Sequence, residues 1–404
     1  MTHICDKTYN YEFQEGFMRK KFLTLISVLL IFTMIITACA NGGTKAKDET
    51  IKIGWIGSLT GDQAVWGTCE SNTVKMLIEE VNANGGILGK QVEGIYYDTK
   101  GDAAEAVNAT KRLISQDGVV AIIGPNASGQ AISISSVLEQ YKVPDIATVA
   151  TNPKVTVNDD GSVKAYNFRV CFIDPYQGAV AAGYAYDRLG LRNAAVLYDV
   201  ASDYSQGFTE FFEKTFTEKG GKIVAKEGFK EGDVEFKPQL SKIKDANPDM
   251  ILMPYYYKEV ALSANQAREL GIDAVLIGGD GWPSEQLMTM AADAIEGSYV
   301  VNHLDFNDPE VKPLQEKYTA KYNLAMELNG YMAHDAFLLL QAAIEDAKSA
   351  DPVKITESLT KVTVQGVTGT IRISPDDHNP IGKEAAIVKI ESADYVFQEK
   401  YGLQ

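Results

Sequence analysis

Cysteine and histidine are scarce, four of each in 404 residues. Cys5, Cys39, Cys69 and Cys171 are too scattered for a disulfide scaffold and contain no CxxC spacing, which excludes a zinc knuckle or a thioredoxin-like redox site. His3, His303, His334 and His378 form no HExxH pair. Positive charge is in deficit: 38 Lys and Arg face 54 Asp and Glu, a formal charge of −16. A phosphate backbone needs a basic face, so a nucleic-acid partner is excluded. No GxSxG marks a hydrolase elbow, and no GxGxxG follows the first strand-like run. Long hydrophobic runs are missing beyond one near the N-terminus, which rules out a polytopic membrane protein. What remains is 45% hydrophobic and 23% charged, the balance of a globular chain long enough for two or three domains.

The single long run reads as an address. Residues 18–39 are MRKKFLTLISVLLIFTMIITAC. Arg19, Lys20 and Lys21 precede an apolar stretch, Phe22–Ile36, too short for a spanning helix and suited to a signal peptide. It ends in Ile36-Thr37-Ala38-Cys39, an aliphatic residue and two small ones before a cysteine, which looks like a bacterial lipobox with Cys39 as the lipidated residue. An uncleaved anchor is the alternative; both place the chain beyond Cys39 outside the cytoplasm. Residues 1–17 read as an upstream extension, with Met18 as the working start. Residues 40–50, ANGGTKAKDET, are small and polar, a tether. The acidic globule has no attraction to anionic lipid, so acyl chains supply the expected membrane attachment.

From Ile51 onward, short β-rich runs alternate with helical patterns. Strands are expected at 51–56, 92–97, 119–123 and 145–147, then at 194–198, 223–225, 251–253, 274–277 and 299–301. Helical stretches fall at 67–82, 103–116, 129–141, 206–219, 236–246 and 258–270. This alternation predicts parallel sheets covered on both faces, in two lobes. Two helices after Phe306 (311–322 and 332–348) and closing strands at 369–373 and 385–390 suggest lobes discontinuous in sequence. Ligands of such sheets sit beyond the carboxyl ends of the strands, so the strand-exit loops are where to look.

Those loops carry the candidates. In Gly124–Gln130, Ser128 is placed as an N-cap whose hydroxyl, with the first-turn N–H groups, suits a carboxylate; a plain helix cap is the other reading. Thr151 follows the next strand and adds a second hydroxyl. Asp280, between Gly279 and Gly281, is a carboxylate on bare backbone that suits an ammonium, or a turn aspartate bonding its own backbone. Trp66, Tyr204 and the run Tyr255–Tyr257 offer aromatic walls. Arg169 suits either an anion or a structural ion pair. Cys69 and Cys171 read as buried thiols, their pairing left open. Gly85–Lys90 invites a phosphate reading but has Asn84 where the first P-loop glycine belongs; it reads as a helix stop and turn. No His or Lys accompanies Asp280 in the sequence, so no catalytic residue, metal or cofactor is assigned.

Several phrases together resemble the substrate-binding proteins of branched-chain amino-acid ABC transporters, the leucine/isoleucine/valine-binding type: IGWIGSLTG at 53–61, VNANGGILG at 81–89, Tyr97-Asp98, Ile123-Gly124-Pro125, Asn167-Phe168-Arg169, QARELG at 266–271 and Glu296-Gly297. The resemblance implies an α/β type I periplasmic-binding-protein clamshell, two doubly wound parallel-sheet lobes joined by three crossover segments near 170–174, 303–305 and 364–369. It implies a first lobe of 51–170 with 305–364 and a second of 171–304 with 365–404. It implies that Ser128, Thr151 and the backbone of Val149 hold an α-carboxylate, that Asp280 holds the α-ammonium, and that Trp66, Tyr204 and Tyr256 wall the side-chain pocket beside Asn126 and Ala127. Two departures stand out: Asp280 where the family often has Glu, and polar Asn126 where it has an apolar residue. The implied partners are a small amino acid and a membrane permease. An amide, urea-like or aromatic-acid cargo, an extracellular sensor and an enzyme on a similar scaffold are the competing expectations.

Overall fold

The computed structural model describes residues 50–402; the extension, the signal segment with Cys39 and all but the last residue of the tether lie outside the described residues. The first sheet is wholly parallel: β1 (Ile51–Gly57), β2 (Val92–Asp98), β3 (Ala121–Ile123), β4 (Asp145–Ala147) and β5 (Asn167–Arg169), in the order β2-β1-β3-β4-β5. Its inner strand β3 is apolar on both faces because both are covered. Ile51, Ile53 and Trp55 of β1 point into a core shared with α1 (Ala64–Ala83). Ile56 points the other way, toward α2 (Ala103–Arg112) and α3 (Ser128–Tyr141), whose Ala106, Ala109, Ile134 and Leu138 meet it. Each such fully buried aliphatic side chain contributes about 1.5–3 kcal/mol.

The second sheet repeats the pattern with β6 (Asn193–Asp199), β7 (Lys222–Phe229), β8 (Met250–Leu252), β9 (Val275–Gly278) and β10 (Tyr299–Asn302). Alternate residues again serve opposite faces: Ala194 and Val196 pack on one side, Ala195 and Leu197 on the other. Helix α4 (Asp174–Gly183), absent from the sequence expectation, packs against α5 (Asp203–Glu218). Its DPYQGAVAAG carries small residues all round and is buried on nearly every side, so no amphipathic stripe announces it. Helices α6 (Lys237–Asp245), α7 (Tyr257–Glu269) and α8 (Glu285–Ile295) complete the cover.

After β10 the chain returns to the first sheet. Helices α9 (Lys312–Tyr322) and α10 (Leu328–Ala347) place Leu314, Tyr318, Tyr331 and Phe337 in the core of β1, and α11 (Pro352–Leu359) adds Ile355 and Leu359. The hairpin of β11 (Thr363–Gly366) and β12 (Gly369–Arg372) stays there too: Ile371 and Ile373 are buried in that core. The last passage between sheets therefore follows Ile373, later than 364–369, because those two isoleucines find their apolar partners only under the first sheet. Residues 369–372 pair with β11 and Ile373 makes an isolated bridge to Pro380, so this segment closes no large sheet. β13 (Ala385–Glu391) and β14 (Asp394–Tyr401) then extend the second sheet antiparallel beyond β10, giving β14-β13-β10-β9-β8-β6-β7.

The Gly85–Lys90 segment is a turn. Gly86 has φ +79°, and a Cβ there would stand 1.8 Å from the carbonyl oxygen of Lys90. That closeness leaves no cradle for a phosphate.

Candidate ligand-binding site

Strand order locates the site. In the first sheet the connections run in opposite directions from β1 and β3, and in the second from β6 and β8. Exit loops diverge at such switch points and leave a crevice. The two crevices face each other. Gln63 and Trp66 follow β1, Asn126 and Ala127 follow β3, and Val149 follows β4. Across from them stand Tyr204 after β6, Tyr256 after β8, and Asp280 with Gly281 after β9. Asn329, at the start of α10, closes the ring. They surround about 290 Å³ not taken by protein atoms, the opening to solvent included.

The gap is shut around this space. Trp66 reaches across from α1, donates its indole N–H to the Pro283 carbonyl at 3.1 Å, and meets the rings of Tyr256 and Tyr257 edge-on at 5.5 and 4.9 Å. Tyr257 donates to the Asp62 carbonyl, and Lys258 pairs with the Asp62 carboxylate at 2.6 Å. On the other flank, the Asn152 amide donates to the carbonyl of Asp203 at 2.7 Å. Of the three consecutive tyrosines, Tyr255 is core, its hydroxyl 2.8 Å from that of Ser263. Tyr256 lines the cavity, stacked on Tyr204 at 5.5 Å and 6°. Tyr257 ties the lobes.

Asp280 is not a turn aspartate. Its Oδ1 accepts from the Gln177 amide at 2.9 Å, and its Oδ2 lies 3.0 Å from Nε2 of His303. His303 is buried and stacked on Phe172 at 3.6 Å. Neither partner was expected: no histidine was assigned to Asp280, yet β10 brings His303 beside it. Among the described residues Nδ1 of His303 has no hydrogen-bond partner. Burial holds the imidazole below its ordinary 6.5, against the pull of Asp280 and with the push of Lys383. His303 is thus neutral at pH 7 and donates through Nε2–H, so the Asp280 carboxyl oxygens meet two neutral donors, Gln177 and His303. Gly279 makes this possible, since a Cβ there would lie 2.2 Å from the Gln177 amide nitrogen and 2.4 Å from the Phe208 ring.

This arrangement carries a pH signature. A cation bound to Asp280 pushes the His303 proton affinity down further, so a complex with an ammonium holds fewer protons than the free protein. Affinity for an ammonium-bearing ligand should therefore fall as pH drops below 6.5 through the histidine's own range, by up to about tenfold per unit. Calorimetry at pH 7.5, 6.0 and 5.0 measures this; a flat profile with the fold intact contradicts it.

The first-lobe hydroxyls sit differently from expectation. Ser128 is the first residue of α3, not its cap; Ala127 occupies the cap position and has no side-chain acceptor. Ser128 Oγ accepts the backbone N–H of Asn152 at 3.2 Å, which joins the loops after β3 and β4. Thr151 is fully buried and its hydroxyl has no hydrogen-bond partner among the described residues; the nearby Asp174 carboxyl is driven by burial well above the usual carboxylate range. Both stand behind the cavity, whose lining on this side is Asn126, Ala127 and Val149. Among the described residues Arg169 forms no ion pair: its guanidinium donates to the carbonyls of Ala150 at 2.7 Å and Asn152 at 2.9 Å, and to the Thr156 hydroxyl at 3.1 Å. It pins the loop that carries Thr151. Cys69 and Cys171 are free and buried, both thiols pushed up to about 12. Gln63 and Asn329 were also not foreseen. Asn329 is oriented by Glu70, a buried acid that desolvation raises to about 7 and that also accepts from Thr148 at 2.8 Å.

Comparison with known proteins then places this geometry. The family model described as periplasmic binding protein matches residues 50–394. The chain belongs to the periplasmic binding protein family. Within it, the chain is similar to the leucine-, isoleucine-, valine-, threonine-, and alanine-binding protein of Pseudomonas aeruginosa, 31% identical over 324 residues, 80% of this chain and 85% of that one. A leucine-binding protein of Thermotoga maritima superposes with a TM-score of 0.81 at 34% identity, covering 87% of this chain and 99% of that one. The branched-chain amino-acid transporter substrate-binding protein of Streptococcus pneumoniae, solved with isoleucine, gives 0.81 at 32% identity, with 88% and 100% covered. The fold is the type I periplasmic-binding-protein α/β fold.

Proposed function

We propose that the chain is the solute-binding component of an ABC importer, closing on a small amino acid, branched-chain or related, and delivering it to a membrane permease. The observation that carries this is Asp280, a buried carboxylate held by two neutral donors at the edge of an aromatic-walled cavity between two lobes. Its ligand is the α-ammonium. The α-carboxylate sits at the start of α3, where no cap side chain takes the first-turn N–H groups. Ser128 and Thr151 back this end: Ser128 reaches the carboxylate only by turning from Asn152, the Thr151 hydroxyl has no partner to give up, and Val149 adds backbone. Trp66, Tyr204 and Tyr256 cover the side chain. Cys39 carries the lipid anchor, which keeps the protein outside the cytoplasm at the membrane, and no reaction is catalysed.

Binding then drives closure. Moving an equilibrium from mostly open to mostly closed requires about 5.5 kcal/mol of differential affinity. A charge-assisted bond at each end of the zwitterion contributes about 1.5–3 kcal/mol, and burial of a leucine-sized side chain about 1.5–3 kcal/mol. A thermal-shift screen of the lipid-free protein against the twenty amino acids and small amides tests the reading. One or a few amino acids should raise the melting temperature. Stabilisation by amides alone, or by none of the panel, rejects an ammonium at Asp280.

A further inference from the structure

Two atoms of the cavity wall lack partners. Asn126 Oδ1 and Gln63 Oε1 are buried, belong to residues only 4% and 6% exposed, and accept no hydrogen bond from the protein. Both side chains line the cavity, on the first-lobe side, facing Tyr204 and Tyr256. Elsewhere in the lining, Asp280 is held by Gln177 and His303, and Asn329 by Glu70. A wall that seated only aliphatic chains would have no use for two amide oxygens. Closing over such a chain removes water from both and replaces it with nothing.

Resting on the amino-acid reading above, we infer that the site selects an amino acid whose side chain carries a hydrogen-bond donor, a hydroxyl or an amide, with Asn126 and Gln63 as its specificity-determining residues. The discrimination follows from an asymmetry. A purely apolar pocket scarcely distinguishes a methyl group from a hydroxyl, whereas a pocket built to accept a hydrogen bond strongly disfavours the analogue that lacks the donor.

Matched pairs test this. Threonine and valine have the same shape, as nearly do asparagine and leucine. Calorimetry on the lipid-free protein at pH 7.5 should show the donor-bearing member of at least one pair binding tenfold or more tightly. Asn126→Leu should erase or reverse that ratio, and Gln63→Leu should reduce it. Circular dichroism verifies that each variant is folded. Valine and leucine each binding as tightly as its polar partner in the unmodified protein overturns the inference while leaving an amino-acid carrier in place. An unchanged ratio in both folded variants overturns the assignment to these residues. Failure of all twenty amino acids to bind removes the underlying reading instead.

Discussion

Asp280→Ala should fold and yet lose amino-acid binding, with Kd rising by about two orders of magnitude. The charge-assisted bond to the ammonium is worth about 1.5–3 kcal/mol by itself. Its removal also leaves a buried cation facing Gln177 and His303, both donors, with no acceptor between them. Asp280→Asn separates charge from shape. It keeps the volume and the loop between Gly279 and Gly281 but cannot balance an ammonium, so its affinity should fall nearly as far. Stability should move little in either variant, since the free protein holds Asp280 buried without a cation, an arrangement that contributes little net stability. Titration calorimetry of the two variants, with a melting curve for each, decides the matter. Affinity within threefold of the unmodified protein would show that the ammonium lies elsewhere.

Trp66→Ala should act on closure. The indole stands only 3% exposed, yet its neighbours are largely in the other lobe: Tyr256, Tyr257 and the Pro283 carbonyl. Truncating a buried tryptophan costs about 3–5 kcal/mol. Here the cost falls on the closed form, because opening exposes Trp66 in any case. Affinity should drop about a hundredfold, with the melting temperature of the ligand-free protein less affected. Small-angle scattering with saturating ligand should show a larger radius of gyration than the unmodified protein. Trp55 and Trp282 are fully buried and do not line the cavity, so the ligand-induced fluorescence change should shrink with the loss of Trp66. An unaltered change would assign the signal to another tryptophan and remove Trp66 from the latch.

The variants also show how residues divide between local and distant causes. Asp280 was readable because two glycines and an apolar strand surround it, a purely local pattern. Gln177 and His303, which give it an acceptor's geometry, lie 103 and 23 residues away and carry no motif. Ser128 was readable as the start of a helix, but the fate of its hydroxyl was not. The neighbouring strand β4 delivers Asn152 to it. Trp66 was readable as an aromatic near a strand exit, and only the closed gap makes it a tie between lobes.

By itself the sequence determined the alternation of strands and helices, the two-lobed α/β plan and the strand-exit loops that line the cavity. Each of these follows from periodicity and turn chemistry within a few residues. Tertiary structure alone decided where the chain last crosses between sheets, which tyrosine of three faces the cavity, and which polar atoms keep partners. Those outcomes depend on strand register and on packing between segments far apart in the chain. Burial and hydrogen-bond competition act there across space, and local composition leaves no trace of them.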